Sequence, residues 1–213
     1  FEQCAEYLSV GLVEKGHELT IYSPDFHLYK EANYKGVKII RKASPQHIFG
    51  QSAANFIYDY LCLKDAVKQD FDIILELGLI TSSLSIIFCR KRGKVIVTNL
   101  DGLEWKRPKW NNTVQTVTKA LEKYGIKYSD YLIADNIGIQ QYIHTEYNRG
   151  SELIAYGAFD MKQPNASCLS DYGLNADNYL LSIARLEPEN NLEMMFDAYV
   201  KSGIKIPYCV VGR

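Results

Sequence analysis

Lys94-Val95-Ile96-Val97-Thr98-Asn99-Leu100 runs straight into Asp101-Gly102-Leu103-Glu104-Trp105-Lys106-Arg107-Pro108-Lys109-Trp110, and the reading of this stretch decides the fold. The first part is rich in β-branched and apolar residues, the pattern of a strand buried on both faces. The second part holds two acids, three bases and two tryptophans. In open α/β sheets, ligands bind beyond the carboxyl ends of the strands, so a buried strand that discharges into a charged aromatic loop marks that end.

Working outward, the pattern continues as alternating strands and helices. Downstream, Asn112-x-x-Gln115 has the form of a capping box opening a helix to about Ser129. A strand at Tyr131–Ala134, a helix at Asn136–Tyr147 and a short strand at Glu152–Ala155 follow. Upstream lie a helix over Thr81–Arg92, a strand over Asp72–Leu77 ended by Gly78, and a long helix capped by Ser52. Further back come strands at Val37–Arg41 and His17–Tyr22. A first helix carries Phe1, Ala5, Leu8 and Leu12 on one face and ends at Gly16. From Tyr156 to about Asn178 regularity lapses into Gly, Pro, Asn and Ser. A new unit then begins, with a strand at Tyr179–Ile183, a helix at Asn191–Ser202 and a strand at Tyr208–Val211.

This order predicts an α/β protein with a mostly parallel sheet covered on both faces. The expected division is a Rossmann-like domain over residues 1–158 lacking its first strand, a linker over 159–178, and the start of a second Rossmann-like domain over 179–213. The opening on Phe1 and the stop at Val210-Val211-Gly212-Arg213, directly after a strand, read as cut ends.

Composition narrows the function classes. The chain has 213 residues, is 47% hydrophobic and 23% charged, and carries a net charge of −1. Disordered and coiled-coil classes are excluded, and no global basic field points to nucleic acid. The apolar stretch Ile73–Cys89 is interrupted by Glu76, Gly78 and Thr81-Ser82-Ser83, which argues against a transmembrane span. Five scattered cysteines, an odd number with no CxxC pair, predict reduced, mostly buried thiols in a cytosolic protein. The histidines show no metal-ligand spacing. Arg90-Lys91-Arg92-Gly93-Lys94 reads first as a solvated helix end complementing the dipole, and second as a dock for an anionic membrane.

Two strand ends are rich in functional groups. In the 101–110 loop, paired acids suit acid–base work or sugar hydroxyls, and tryptophans suit the apolar faces of sugar rings. The competing reading is a surface loop of ion pairs, with its tryptophans packed on a neighbouring helix. In Ser182-Ile183-Ala184-Arg185-Leu186-Glu187-Pro188-Glu189-Asn190-Asn191, an Arg just past a strand and before a helix amino end makes an anion site. Here the competing reading is Arg185 paired with Glu187 or Glu189. Asp135-Asn136 and Ser23-Pro24-Asp25 also lie at strand ends.

Gly16-His17-Glu18-Leu19-Thr20-Ile21-Tyr22, Asp101 to Arg107, Ile133-Ala134-Asp135, Tyr156-Gly157-Ala158 and Ala184 to Asn191 occur in that order. Together they resemble the bacterial rhamnosyltransferase-type group of retaining GT-B glycosyltransferases, which build cell-surface polysaccharides. The resemblance implies two facing Rossmann-like domains, with a glycan or lipid-linked glycan acceptor on the first and a nucleotide-diphosphate sugar on the second. It implies dTDP-rhamnose or a UDP-sugar as donor, no bound metal or other cofactor, and a cytoplasmic location with peripheral contact at the inner membrane face. The family's diphosphate-binding Arg falls on Arg185, with Glu187 and Asn190 beside it on the donor side. Asp101, Glu104, Trp105, Lys106, Arg107, Asp135 and Asn136 fall on the acceptor side, and Asp101 and Arg185 take the catalytic positions.

The chain departs from the pattern at several points. Asn190 stands where many relatives have a second phosphate-binding Lys, and Asp101 where broader relatives often have a His. A glycine loop before Phe1 and an acidic motif beyond Arg213 are absent, so the 213 residues alone are expected to be inactive. Two rival classes stay open. One is a nucleotide-dependent oxidoreductase or epimerase, with Asp25 as a ribose-binding acid. The other is a non-catalytic binding module.

Overall fold

The computed structural model describes residues 2–100, 102–158 and 166–212. In chain order the elements are α1 (Glu2–Glu14), β1 (Thr20–Pro24), β2 (Asn33–Tyr34), β3 (Val37–Lys42), α2 (Gln46–Ala66), β4 (Ile73–Glu76), α3 (Ile86–Lys91) and β5 (Val95–Leu100). There follow α4 (Asn112–Tyr128), β6 (Tyr131–Ala134), α5 (Ile137–Tyr147), β7 (Glu152–Leu153), β8 (Leu180–Ile183), α6 (Leu192–Ser202) and β9 (Tyr208–Val211). Short 3-10 turns lie at Glu104–Lys106, Ser167–Tyr172 and Pro188–Asn190. Every strand pairing given is parallel except β2 with β3.

The chain divides into two compact units. The first comprises residues 1–105 and 112–156, the second residues 106–111 and 157–213. The short segment 106–111, which follows the strand of the opening motif, therefore belongs with the second unit.

In the first unit the strands form two sheets rather than one. The orders are β1-β3-β2 and β4-β5-β6-β7, with β1 and β4 each at an edge. α2 links them. Its Leu63 and Ala66 enter the main core with Ile74, Ile86, Ile96, Ile126, Leu132 and Ile143. On the same helix Asp65 accepts from Tyr22 on β1 at 2.9 Å and pairs with Lys42 on β3 at 2.8 Å. The Lys42 ammonium is the main cause that holds the Asp65 carboxyl below the ordinary range.

Three local differences from the sequence reading have physical causes. β2 is a short added strand, joined to β3 by Lys35-Gly36, both with positive φ (46° and 84°). That is the twist a two-residue hairpin needs, reached here with a Lys where Asn or Asp is usual. α2 begins before Ser52, but Gly50 breaks it at φ 72°, so its regular part starts close to the expected place. α3 is shorter than expected. Ser82 and Ser83 turn their hydroxyls back onto the carbonyls of Leu79 and Ile80, which competes with regular helix in the preceding turn.

The cysteines are free, but only Cys62 and Cys89 are buried. Cys4 and Cys209 are half-buried and Cys168 is exposed, which corrects the expectation of mostly buried thiols. Burial pushes the Cys62 and Cys89 thiols up to about 12, away from thiolate chemistry. Among the described residues no helix is long and apolar enough to cross a membrane.

The second unit is built on the parallel pair β8-β9 with α6 between them in sequence. Gly212 follows β9 where a Cβ would lie 2.0 Å from the Ala184 carbonyl oxygen, so only glycine lets the strand end pass that backbone.

Candidate functional site

The carboxyl ends of the strands gather the polar groups of the first unit, as the fold rule requires. Past β1 and β3, residues Asp25, Phe26, Ser44, Gln46 and His47 line a depression of about 410 Å³. Asp25 Oδ1 accepts from the Ser44 backbone N–H at 3.3 Å. The aromatic ring, carboxylate, amide and imidazole together suit a polyhydroxylated ligand. The sequence flagged Asp25 by its place after a strand. Gln46 and His47 were missed because they sit at the start of a helix whose onset was placed six residues later.

At the end of β4, Glu76 lies close enough to Asp59 on α2 for the two charges to oppose each other. Burial first, then Asp59, pushes the Glu76 carboxyl up to about 8, against a hydrogen bond from Ser82. Burial also raises Asp59, opposed by its hydrogen bond from the Thr81 hydroxyl. Neither acid was singled out from the sequence. The available signal was the turn at Gly78, two residues beyond Glu76.

The end of β5 leads to Asp101, which lies outside the described residues. Just before it, buried Asn99 donates from Nδ2 to the Tyr156 hydroxyl at 3.0 Å. Glu104 and Trp105 lie in the 3-10 turn that follows. Trp105 Nε1 donates to the Tyr142 hydroxyl at 3.1 Å, and Lys119 Nζ lies 4.6 Å from the indole centroid. Lys119 also lies over the Tyr142 and Tyr147 rings, at 4.7 and 4.9 Å. Beneath them buried Glu122 accepts from both tyrosine hydroxyls at 2.5 Å. Burial first, then the Glu122 carboxylate, raises the Tyr147 hydroxyl. This cluster ties the start of the loop to α4 and α5.

At the end of β6, Asn136 caps α5. Its Oδ1 accepts from Ile139 N at 2.9 Å, and its Nδ2 donates to Asp135 Oδ1 at 2.7 Å.

In the second unit, Arg107 Nε lies 2.9 Å from Glu189 Oε1, both side chains about one quarter exposed. The Glu189 carboxyl is held below the usual range by its own backbone N–H first, then by Arg107 and Lys109. Lys106 and Arg107, expected on the acceptor side, thus belong to the same unit as Arg185.

Arg185 itself is exposed just past β8, and among the described residues its guanidinium makes no ion pair. The competing pairing with Glu189 does not form: Arg107 engages Glu189 Oε1, and Oε2 is buried without a hydrogen-bond partner. Asn190 Nδ2 donates to the Arg185 carbonyl oxygen at 2.7 Å, and Glu187 N donates to the same oxygen at 2.8 Å. Both bonds fix the backbone that carries Arg185. α6 then starts from Asn191, whose φ of 51° gives no side-chain cap. The first N–H groups of α6 thus have no side-chain cap. Among the described residues no three His, Cys, Asp or Glu side chains are grouped to hold a metal ion.

Residues 19–159 match the family model described as Domain of unknown function (DUF1972). Among curated protein sequences none matches the chain. Among solved structures, a Listeria monocytogenes protein designated a UDP-N-acetylglucosamine 2-epimerase superposes with a TM-score of 0.61 at 13% identity, over 98% of this chain and 58% of that one. Arabidopsis thaliana UGT89C1, solved with quercetin, superposes with a TM-score of 0.54 at 14% identity, over 97% of this chain and 65% of that one. The chain thus spans less than two thirds of either protein. At these identities the likeness shows the fold, an α/β architecture of the GT-B type.

Proposed function

Starting from a chain that belongs to the DUF1972 family, we propose a glycosyltransferase that moves a sugar from a nucleotide-diphosphate donor to a glycan or lipid-linked glycan acceptor. The observation that carries this is Arg185: exposed at the carboxyl end of β8, unpaired among the described residues, and followed by the uncapped amino end of α6. A guanidinium fork with oriented backbone N–H groups is the chemistry that holds a diphosphate.

In this reading Arg185 grips the donor diphosphate and offsets the charge that grows as the bond from sugar C1 to the phosphate oxygen breaks. An acceptor hydroxyl bonds to C1 on the same face, with retention, and its proton passes to the departing phosphate oxygen. Glu187 and Asn190 position Arg185 through its backbone. The acceptor side comprises Asp101, Glu104, Trp105, Asp135 and Asn136, to which we add the Asp25–His47 depression. Lys106 and Arg107 belong to the second unit. The finer reading is rhamnose from dTDP-rhamnose, without a bound metal, in cell-surface polysaccharide synthesis.

The test is titration with dTDP and UDP, followed by transfer assays. Arg185→Ala should weaken nucleoside-diphosphate binding about tenfold and lower kcat/KM by roughly 10²-fold. Unchanged binding and turnover in Arg185→Ala would sink the assignment.

A second reading, a nucleotide-sugar epimerase, is favoured by the Glu76–Asp59 carboxyls, which could exchange protons with a bound sugar. It predicts an epimerised donor without any acceptor, and loss of that product in Glu76→Gln.

A further inference from the structure

Residues 106–111 join the second unit. The segment, Lys106-Arg107-Pro108-Lys109-Trp110-Asn111, holds three bases and no acid. A turn closes it, with Trp110 N donating to the Arg107 carbonyl oxygen at 3.1 Å. Lys109 Nζ lies 5.1 Å from the Trp110 ring centroid. The turn meets the chain just past β8 through Arg107, whose Nε donates to Glu189 Oε1 at 2.9 Å.

The chain past β8 is folded back on itself. Glu187 N and Asn190 Nδ2 both donate to the Arg185 carbonyl oxygen, and Asn190 N donates to the Glu187 carbonyl oxygen at 3.0 Å. Asn190 therefore lies against the Arg185 backbone, and Glu189, its neighbour in the chain, brings Arg107 to the same place. By itself residues 185–190 make a poor anion site. Arg185 stands against Glu187 and Glu189, a net charge of −1, and Asn190 adds none. Lys106, Arg107 and Lys109 bring the sum to +2. Attraction for a polyanion at this place thus depends on the segment that packing adds to it.

We propose that the 106–109 turn is the second cationic side of the donor diphosphate site, with Arg107 and Lys109 binding phosphate oxygens beside Arg185. The proposal rests on the transfer reading for the identity of the ligand. It moves Lys106 and Arg107 from the acceptor side, where the sequence set them, to the donor side. Glu189 holds the Arg107 guanidinium in one place, so less side-chain freedom is lost when the anion arrives. The guanidinium fork matches a pair of phosphate oxygens, and Lys109 adds a point charge. Two sets of cations serve two phosphate groups, so the turn selects a nucleoside diphosphate over a monophosphate.

The experiment is calorimetric titration of the chain with pyrophosphate, with UDP and dTDP, and with the two monophosphates UMP and dTMP. Arg107→Ala should weaken binding of pyrophosphate and the diphosphates about tenfold, and of the monophosphates only about twofold. Lys109→Ala should weaken diphosphate binding about fivefold. Arg107→Lys, which keeps the charge, should recover part of the loss. A turn that is only loosened would weaken both classes of nucleotide alike, so the fall in the diphosphate-to-monophosphate ratio is what reports phosphate contact. Lys205→Ala removes an exposed lysine before β9, at the other end of the β8-β9 pair, and should change nothing. Circular dichroism establishes that each variant is folded. Binding weakened in Arg185→Ala but unchanged in Arg107→Ala and Lys109→Ala would overturn this proposal and leave the transfer reading standing. Equal loss in Lys205→Ala would overturn it by reducing the effect to net charge. If the unmodified chain binds neither pyrophosphate nor either diphosphate, the donor reading falls and this proposal with it.

Discussion

Ile96 and Ile183 are both isoleucines on parallel strands, yet Ile96 on β5 is fully buried while Ile183 on β8 is 75% exposed. β5 has β4 on one side and β6 on the other, and α3 and α4 contribute Ile86 and Ile126 to the core it joins. Among the described residues β8 has β9 alone as its neighbour. Along the second unit Leu181, Met194, Val200 and Val211 are exposed in the same way, and Leu192 is its buried apolar residue. A parallel strand is stabilised by cover on both faces, so the unit that carries Arg185 draws far less from burial than the unit that carries the 410 Å³ depression.

The comparison can be broken first in the two isoleucines themselves. Ile96→Ala should cost about 2–5 kcal/mol, and Ile183→Ala should stay within about 0.5 kcal/mol. Urea denaturation of both variants measures this; equal losses would mean that the second unit has a core of comparable weight.

The next effect is on pH. The folded state holds the Glu76 proton up to about 8, against an ordinary value of 4.5. Between those values the folded state binds more protons than the unfolded state. Stability from this group is therefore fully present below about 4.5 and lost as pH rises through 8. Thermal unfolding should show Tm falling over that window, and Glu76→Gln should flatten the slope. An unchanged slope would show that Glu76 ionises freely in the fold.

A smaller effect is expected where the opening loop is anchored. Glu122→Ala strands the hydroxyls of Tyr142 and Tyr147 and should cost about 1–3 kcal/mol. It should also shift the emission of Trp105, which is bonded to Tyr142. If the emission stays constant in the folded variant, Trp105 is not held by this cluster. The smallest effect is that of Arg107→Ala, whose quarter-exposed pair with Glu189 is worth about 1 kcal/mol. Amide hydrogen exchange should speed up over residues 106–111 and 187–190 and stay constant over β5. Acceleration in β5 instead would show that residues 106–111 belong with the first unit.

Much of the element order was legible because local pattern decides it. β6 and β9 begin and end where β-branched and apolar residues begin and end, and Asn136 caps α5 as its side chain allows. The Lys35-Gly36 hairpin was not legible, because its turn uses a lysine at positive φ that tertiary packing must hold. Nor was the division of the 101–110 loop. Neighbours in sequence, Trp105 and Arg107 go to different units, one to Tyr142 and the other to Glu189.

The sequence by itself determined the alternation of strand and helix, the strand ends that carry polar groups, and the place of Arg185 after β8. These follow from periodicity and from the fixed polarity of a parallel sheet. Only the tertiary structure decided which charges remain available. It gave Glu189 to Arg107 and left Arg185 open, and it set Arg90 beside Asp130 and Lys94 on the Phe71 carbonyl while Lys91 and Arg92 line a groove with Lys64 and Lys68. Ion pairs form between side chains that packing brings within a few ångströms, and distance along the chain does not specify which those are.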